Sequence, residues 1–212
     1  MDPLVVEAAL NGGTPKSRNR NVPRAPEEIT RDALACLDAG AAIIHTHIED
    51  FDTTGEAAAE RYLDGWKPIL AARPDVILAS TSARGAMSRE RFGHYRPLAD
   101  HGMRMGALDT GSVNLASRGR DGLPGARQFV YTNSFQEIAD LIALHEAAQL
   151  GPSIAVYEPG FLRTVLAYDR AGRLPRGAMS NSISAAATIF SMASPAMSHS
   201  VCRRQRRRSR HI

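Results

Sequence analysis

Two histidines separated by one residue, His45 and His47, are the side chains of this sequence whose type and spacing most directly suggest chemistry. They follow the apolar run 41–44, and acidic residues come directly after them. Successive side chains of an extended strand point to opposite faces, so the two imidazoles would share one face. Zinc binds histidine nitrogen readily, and a catalytic zinc keeps one position open for substrate. The pair predicts half of a metal site, with two hydrogen-bonded histidines at the rim of a core as an equal alternative, because His-x-His alone is a weak motif.

The composition is typical of one soluble globular domain. The chain has 212 residues, of which 43% are hydrophobic and 23% are charged, so it can bury a sizeable core. No apolar run approaches the ~20 residues that span a bilayer, and the segment 1–4 does not resemble the start of a secretory signal. Cys36 and Cys202 are too few for a disulfide framework, so the sequence predicts a cytoplasmic protein with reduced thiols.

The basic charge of the chain is confined to its last residues. The formal net charge is +4, and without the arginines of the last ten residues it would be −2. These arginines are Arg203, Arg204, Arg206, Arg207, Arg208 and Arg210. Such a segment binds phosphates non-specifically and with strong salt dependence, so a nucleic-acid or anionic-surface binder is one hypothesis. Nothing in the rest of the chain adds a basic face, which favours an incidental tail and makes a nucleic-acid partner the weaker hypothesis.

Short apolar runs alternate with amphipathic helical patterns along the chain. Strands are predicted at 4–10, 41–50, 75–80, 103–109 and 153–158, with helices at 26–40, 56–72, 88–98, 134–150 and 161–171. This order with short connections requires a parallel sheet covered by helices. Polar turns follow the strands, at the edge where barrels and doubly wound sheets bind ligands. The Lys- and Arg-rich segment 14–24 is predicted to be a loop that reaches an anionic ligand, with a solvated surface loop as the favoured alternative for any single residue. Since neither GxGxxG nor GxxxxGK[ST] occurs, nucleotide binding is disfavoured and a (β/α)8 barrel fits best.

Segments in five parts of the chain together resemble the β-keto acid cleavage enzymes, a family that includes the 3-keto-5-aminohexanoate cleavage enzyme. They are 43–50, the turn after Ser80-Thr81, 108–114, 133–135 and 154–160, and the resemblance covers residues 4–176. It implies a zinc-dependent TIM barrel that condenses a β-keto acid with acetyl-CoA to give acetoacetate and a new CoA ester. It also implies that the protein assembles as a homo-oligomer.

The resemblance implies roles for the metal-binding and catalytic side chains. His45 and His47 are similar to the family's two zinc histidines, while Ser80 and Ser112 stand at its hydroxyl positions beside the substrate. Zinc would polarise the substrate carbonyl, and the serine hydroxyls would donate hydrogen bonds to developing oxyanions. For each serine, a turn residue bonded to its own backbone is an equal alternative.

The residues expected to bind the substrate are Asn114, beside Ser112, and Arg84, in the turn after the third strand. Arg84 would pair with the substrate carboxylate or a CoA phosphate, although an ordinary surface arginine is the favoured alternative. Gly13 stands where the aminohexanoate enzyme carries a glutamate that recognises an amino group, and Ala155 stands where the family has an acidic residue. These departures predict a β-keto acid without that amino substituent.

The resemblance ends around 177–179, before the segment from which the family supplies a third zinc ligand, a glutamate. We therefore predict a partial TIM barrel of about five to six βα units at 1–178, followed by a divergent Ser/Ala-rich and then Arg-rich tail at 179–212. Such a tail is typical of a frameshifted or prematurely ended gene. Missing strands would leave an open sheet edge, and two of three ligands would bind zinc weakly. Another metal-dependent TIM-barrel lyase or hydrolase is the remaining alternative.

Overall fold

The computed structural model describes residues 5–85, 88–116, 120–121, 123–125 and 130–182. The chain divides into two compact units, Met1–Ala107 with Ala143–Gly151, and Leu108–Ile142 with Pro152–Ile212. The predicted tail lies outside the described residues from 183 onward, so the arginine-rich segment and the nucleic-acid hypothesis stay predictions.

The first unit is built from parallel strands joined by helices. In chain order it contains β1 (Glu7–Ala9), α1 (Pro26–Asp38), β2 (Ile43–Thr46), α2 (Gly55–Ala72), β3 (Ile77–Ser80), α3 (Ser88–Phe92), α4 (Tyr95–Asp100) and β4 (Met105–Ala107). The strands lie in the order β1-β2-β3-β4, and each neighbouring pair is parallel. In register, Ala9 lies beside His45, and His45 lies beside Ala79. The predicted parallel arrangement of these strands is confirmed.

The apolar faces of α1 and α2 pack together beside this sheet. The Glu28 carboxylate accepts the backbone N–H groups of Arg24 and Ala25, at 2.8 and 3.1 Å, and so satisfies donors where α1 begins. On α2, the indole N–H of Trp66 donates to the Thr46 hydroxyl of β2 at 2.9 Å. Because Trp66 and Thr46 are both buried, this bond fixes the helix against one face of the strand.

The helix expected at 88–98 is interrupted. The structure has α3 and α4 instead, with Gly93 and His94 between them. His94 is 1% exposed, its Nε2 atom bonds the Thr81 carbonyl at 2.8 Å, and its ring stacks on Tyr62 with centroids 5.5 Å apart. Contacts with distant residues therefore decide the break, which the helical periodicity of the sequence does not predict.

The second unit contains a parallel and an antiparallel strand pair. In chain order it contains β5 (Val113–Asn114), β6 (Val130–Tyr131), the first part of α5 (Phe135–Ala147), β7 (Gly151–Val156), α6 (Pro159–Arg170) and β8 (Met179–Ser182). β7 and β8 are parallel, with Ser153 beside Met179, whereas β5 and β6 are antiparallel. α6 thus connects two parallel, neighbouring strands along the chain, as the helix of a further βα unit does. Among the described helices, none is long and apolar enough to cross a membrane.

Candidate functional site

The imidazoles of His45 and His47 lie side by side at the carboxyl end of β2. Their Nε2 atoms are 3.0 Å apart, and the Nδ1 atom of His45 lies 3.6 Å from a carboxylate oxygen of Glu7. Two nitrogens that each sit about 2.0–2.1 Å from one tetrahedral ion would be about 3.3 Å apart. The observed distance is somewhat shorter than this and equals that of a hydrogen bond from one ring to the other, so the two rings would have to move slightly apart to share an ion. In the described part of the chain, no group of three or more His, Cys, Asp or Glu side chains could hold a metal.

Both imidazoles are neutral near pH 7, which is the form that binds metals. Burial lowers the pKa of His45 to about 4. Burial, followed by the positive charges of His45 and Arg24, lowers the pKa of His47 to about 3. The buried Nδ1 atom of His47 has no hydrogen-bond partner among the described residues. An ion shared by the two rings would lie at their Nε2 atoms instead. The chemistry of this pair therefore fits a soft or borderline divalent cation.

Asn11 holds the backbone of His47 in place. Its side-chain amide donates to the carbonyls of His47 and Pro23, at 3.0 and 3.1 Å, while its oxygen accepts the His47 N–H at 2.7 Å. The same side chain thus fixes the second histidine and the end of the loop 14–24. Sequence reasoning assigned Asn11 to a turn and missed this role. The available signal was an amide side chain directly after a buried strand, where the carboxyl ends of parallel strands meet.

The structure places Ser80 away from the histidine pair. Ser80 lies beside Thr46 in the β2–β3 register, so the two side chains share a face, and His45 points to the other face. Thr46 accepts the hydrogen bond from α2, and the Ser80 hydroxyl is fully buried and donates to Met103 Sδ at 3.5 Å. The Ser80 hydroxyl is not brought together with the imidazoles, and its catalytic role stays a prediction.

Arg84 lies at a cavity of about 580 Å³ in the first unit, which Phe51 connects to the histidine pair. The Phe51 ring centroid is 5.3 Å from that of His47, and the Arg84 guanidinium carbon is 5.7 Å from the same Phe51 centroid. Arg84 also forms an ion pair of 3.4 Å with Asp52. The lining includes Arg24, a residue that sequence reasoning did not single out. The expected position of Arg84 near an anionic ligand is compatible with this geometry and stays a prediction.

In the second unit, the Ser112 hydroxyl already has backbone partners. It accepts the Asn133 N–H at 2.9 Å and donates to the Asn133 carbonyl at 3.2 Å, while the Asn133 side chain bonds the Gly111 carbonyl at 2.8 Å. A cavity of about 670 Å³ is lined by these residues and by Arg163 of α6. Asn114 is exposed in β5. Ser112 therefore fastens two segments together, and the expected roles of Ser112 and Asn114 in catalysis and binding stay predictions.

Asp109 and two tyrosines form a further polar group in the second unit. The Tyr131 hydroxyl donates to an Asp109 carboxylate oxygen at 2.6 Å. Burial and the negative charge of Asp109 raise the pKa of Tyr157. The sequence places Asp109 at the end of a predicted strand and Tyr157 in the family-like segment 154–160, but it predicts no role for either side chain.

Comparison with known proteins connects this geometry to a family. The family model described as beta-keto acid cleavage enzyme matches residues 3–206. A 3-oxoadipate:acetyl-CoA acetyltransferase of Cupriavidus necator is 28% identical over 174 residues, covering 81% of this chain and 56% of that protein. A 3-keto-5-aminohexanoate cleavage enzyme of Fusobacterium nucleatum is 30% identical over 173 residues, covering 81% and 59%. The chain thus spans somewhat more than half the length of these curated relatives.

Solved structures of ObcA share the fold. Apo ObcA is similar with a TM-score of 0.60 at 21% identity, covering 78% of this chain and 36% of that chain. A ternary complex of ObcA with a C4-CoA adduct and oxalate has a TM-score of 0.58 at 20% identity, covering 78% and 38%. This likeness confirms the predicted incomplete TIM barrel. Because the family model matches residues 3–206, which are most of this chain, the chain belongs to the beta-keto acid cleavage enzyme family.

Proposed function

We propose that this chain carries the β-keto acid site of an enzyme that uses acetyl-CoA to cleave that acid, giving acetoacetate and a new CoA ester. One observation carries the proposal: two neutral imidazoles with Nε2 atoms 3.0 Å apart lie at the carboxyl end of β2, in a member of this family. The names of its relatives, an acetyl-CoA acetyltransferase and a keto acid cleavage enzyme, support the reaction class.

The reaction balances without an external oxidant or reductant. Carbon 2 of the keto acid loses a proton and bonds to the acetyl carbonyl carbon, and the CoA thiolate leaves. The thiolate then adds to the carbonyl at carbon 3, the bond between carbons 2 and 3 breaks, and carbon 2 regains a proton. The products are acetoacetate and the CoA ester of the remaining acyl group.

His45 and His47 would hold the divalent cation that the family resemblance implies, Zn²⁺, which would supply Lewis-acid polarisation of the keto acid carbonyl. The protein's own contribution is to keep both rings neutral through burial and to fix the His47 backbone through Asn11. Because protein groups beside a ligating histidine orient its ring, we assign Asn11 a positioning role. With two protein ligands, we expect zinc to bind weakly.

The contacts of the remaining predicted site residues support their proposed roles to different extents. Arg84, exposed at the cavity rim, would have to exchange its ion pair with Asp52 for a carboxylate or a CoA phosphate, and the exchange costs little because that pair is solvent-exposed. Ser112 would have to exchange its bond to the Asn133 carbonyl for a bond to substrate, with exposed Asn114 beside it. Ser80 would have to leave its bond to Met103 and change face, so its contacts favour a structural role over the catalytic one.

Homo-oligomeric assembly and a location in the reducing cytoplasm complete the proposal. The first follows from the family resemblance. The second rests on the low cysteine content, and Cys36 is a free cysteine in the structure. Residues 1–178 would form the partial barrel, and the described residues 179–182 continue it by one strand, β8.

Zinc binding and acetoacetate formation test this function together. We expect the full 212-residue chain to bind about one equivalent of zinc in a chelator-competition titration. His45→Ala and His47→Ala should each weaken that binding by about tenfold or more, since each removes a ligand of the ion. The exposed His101→Ala is the matched control and should leave zinc binding unchanged. Acetoacetate should appear when acetyl-CoA and a series of β-keto acids are supplied. Unaltered zinc binding in both histidine variants, with no acetoacetate from any acid, would contradict the proposal.

A further inference from the structure

The cavity beside His47, here called the loop cavity, is lined by Gly13, Lys16, Arg24, Phe51 and Arg84, with Glu28 at one side. Two of its cations already have carboxylate partners. Lys16 is ion-paired with Glu28, and the hydrogen bond from Lys16, with those from the Arg24 and Ala25 N–H groups, lowers the pKa of Glu28 to about 2. Glu28 is therefore ionised at neutral pH and neutralises Lys16. Arg84 is paired with Asp52 at 3.4 Å.

Arg24 is the exception among these cations. Its half-buried guanidinium donates to the Thr14 carbonyl, a neutral group. Among the described residues, no carboxylate lies within ion-pair distance of that guanidinium. The planar guanidinium has five N–H donors arranged to meet a carboxylate, so donors remain for a ligand. Arg24 lines the same cavity as Phe51, whose ring centroid lies 5.3 Å from that of His47.

The acidic residues at the cavity do not supply the missing partner. The Asp50 carboxylate accepts the Asp52 N–H at 3.0 Å and the Thr53 hydroxyl at 2.9 Å, both from its own turn. Glu49 is exposed to solvent. The positive end of α1 is also satisfied within the protein, because Glu28 accepts the N–H groups at its start. The guanidinium of Arg24 is thus the charge at this cavity that a ligand would complete.

Gly13 leaves space in the wall of the same cavity. A Cβ atom built on Gly13 would have no neighbouring atom within 4 Å, and the φ angle of Gly13 is outside the left-handed region. A Cβ atom is therefore tolerated at this position, and its absence leaves the volume of about 580 Å³ available. A short-chain acid would fit this volume.

We propose that Arg24 binds a second carboxylate at the far end of the keto acid, so that this protein takes β-keto dicarboxylic acids. The inference rests on the proposed function, since the reacting end of the acid is assigned to the histidine pair. The carboxylate and the guanidinium form a charge-assisted bidentate pair in a partly desolvated site. An ammonium group in the same position would meet the Arg24 charge and be repelled.

Binding of five-carbon acids to the full chain tests the charge preference directly. The probes are glutarate, pentanoate and 5-aminopentanoate, which match in length and differ in the terminal group, and their affinities can be measured by NMR titration. We expect glutarate to bind about tenfold more tightly than pentanoate, and 5-aminopentanoate to bind most weakly. Equal affinities of glutarate and pentanoate would overturn the proposal.

Substitutions in the loop 14–24 test whether Arg24 causes the preference for glutarate. Arg24→Gln should reduce glutarate affinity about tenfold, to that of pentanoate, and Arg24→Lys should restore part of the loss. Arg20→Gln is the matched control, because Arg20 is exposed in the same loop and does not line the cavity. If Arg20→Gln and Arg24→Gln weaken glutarate equally, the effect is general electrostatics and the proposal is wrong.

A substitution at Gly13 tests whether the preference for a negatively charged terminal group can be reversed. Gly13→Glu would place a carboxylate in the cavity, so glutarate should lose its advantage and 5-aminopentanoate should bind more tightly than it does to the parent protein. Gly12→Glu makes the same charge change at a neighbouring position that also has no atom within 4 Å of a built Cβ and that does not line the cavity. An identical response to both substitutions would contradict the assigned position of the ligand.

A phosphate of CoA is the other anion that could meet Arg24. Inorganic phosphate and CoA are therefore added as competitors against glutarate. If glutarate stays bound at equal concentrations of either competitor, the result supports the proposal that Arg24 binds a carboxylate of the substrate. Displacement of glutarate by both competitors, with their binding also lost in Arg24→Gln, would overturn it in favour of a phosphate site.

Turnover separates this inference from the proposed function. Acetyl-CoA is supplied with a 3-oxo dicarboxylic acid or with the 3-oxo monocarboxylic acid of the same length. Acetoacetate from neither acid contradicts the proposed function, and the glutarate titrations still decide the role of Arg24. Acetoacetate from both acids with equal kcat/KM, unchanged in Arg24→Gln, contradicts the inference while the proposed function stands.

Discussion

At the scale of single residues, the histidine pair depends on side chains from other segments of the chain. Burial makes His45 and His47 neutral, and Asn11 determines where the His47 backbone lies. Asn11 joins β1, the end of β2 and the loop before α1 through one amide. We expect this side chain to contribute both to stability and to metal affinity, because the same bonds serve both.

Replacing Asn11 with alanine should lower the free energy of unfolding by about 2 kcal/mol, since three part-buried hydrogen bonds are lost. Urea unfolding measures this change, and a zinc titration should show weaker binding. Asn19→Ala is the control, because the Asn19 side chain accepts one N–H in an exposed turn. It should change stability by no more than about 0.5 kcal/mol. Equal effects of the two variants would show that Asn11 is an ordinary turn residue.

The sequence predicts the histidines and Arg84 as candidates and 14–24 as a basic loop that could reach an anionic ligand, but it does not single out Asn11 or Arg24. The histidines are two residues apart, so the strand pattern alone places them on one face. Asn11 and His47 are 36 residues apart in the chain, and no local pattern connects them. Arg24 is one of several basic residues in a loop without periodicity, and its lack of a carboxylate partner is visible only from the contacts.

At the scale of elements, strand register decides which side chains reach the site. Ser80 lies beside Thr46, and this pairing turns its hydroxyl toward the face covered by α2. A shift of one residue would bring Ser80 to the face of His45. The sequence predicts where β3 ends, but it does not predict the register between β3 and β2. That register is set by hydrogen bonds between the two strands.

The break between α3 and α4 carries a pH-sensitive contact. Burial lowers the pKa of His94 from 6.5 to about 4, although its bond to the Thr81 carbonyl acts in the opposite direction. The unfolded chain therefore binds a proton that the folded chain rejects when the pH is between these values. Stability from this group is complete above pH 6.5 and is lost as the pH falls through about 4.

We expect acidification from pH 6.5 to 4 to cost roughly 3 kcal/mol through His94, at about 1.4 kcal/mol per pH unit. Urea unfolding at a series of pH values measures the slope, and His94→Gln should remove this share of it. The exposed His101→Gln serves as the control and should keep the slope of the parent protein. If the unfolding free energy of His94→Gln keeps the pH slope of the parent protein, His94 does not titrate as the structure indicates.

At the scale of the molecule, the end strand of the first unit is a place where chains could associate. Among the described strands, β1 pairs only with β2, and Val5 and Val6, which precede β1, are 57% and 44% exposed. An unpaired strand edge with exposed apolar residues promotes pairing with another chain.

Val5→Lys should therefore reduce concentration-dependent association, because a charged side chain at a strand edge opposes pairing. Light scattering after size-exclusion chromatography at increasing protein concentration measures the association, and circular dichroism should show an unchanged fold. Leu123→Lys is the control, since Leu123 is 61% exposed but lies in a loop. If both lysine variants reduce association equally, general charge and not the strand edge is responsible.

By itself, the sequence determined the alternation of strands and helices, the parallel class of the sheet and the facing pair His45 and His47. These features depend on hydrophobic period and on neighbours in the chain, which are local properties. Only the tertiary structure shows that Asn11 holds the His47 backbone and that Ser80 lies on the face opposite His45. It also shows that Arg24 has no carboxylate partner among the described residues. Each depends on register or on contacts between segments far apart in the chain, and those are fixed only when the strands and loops pack together.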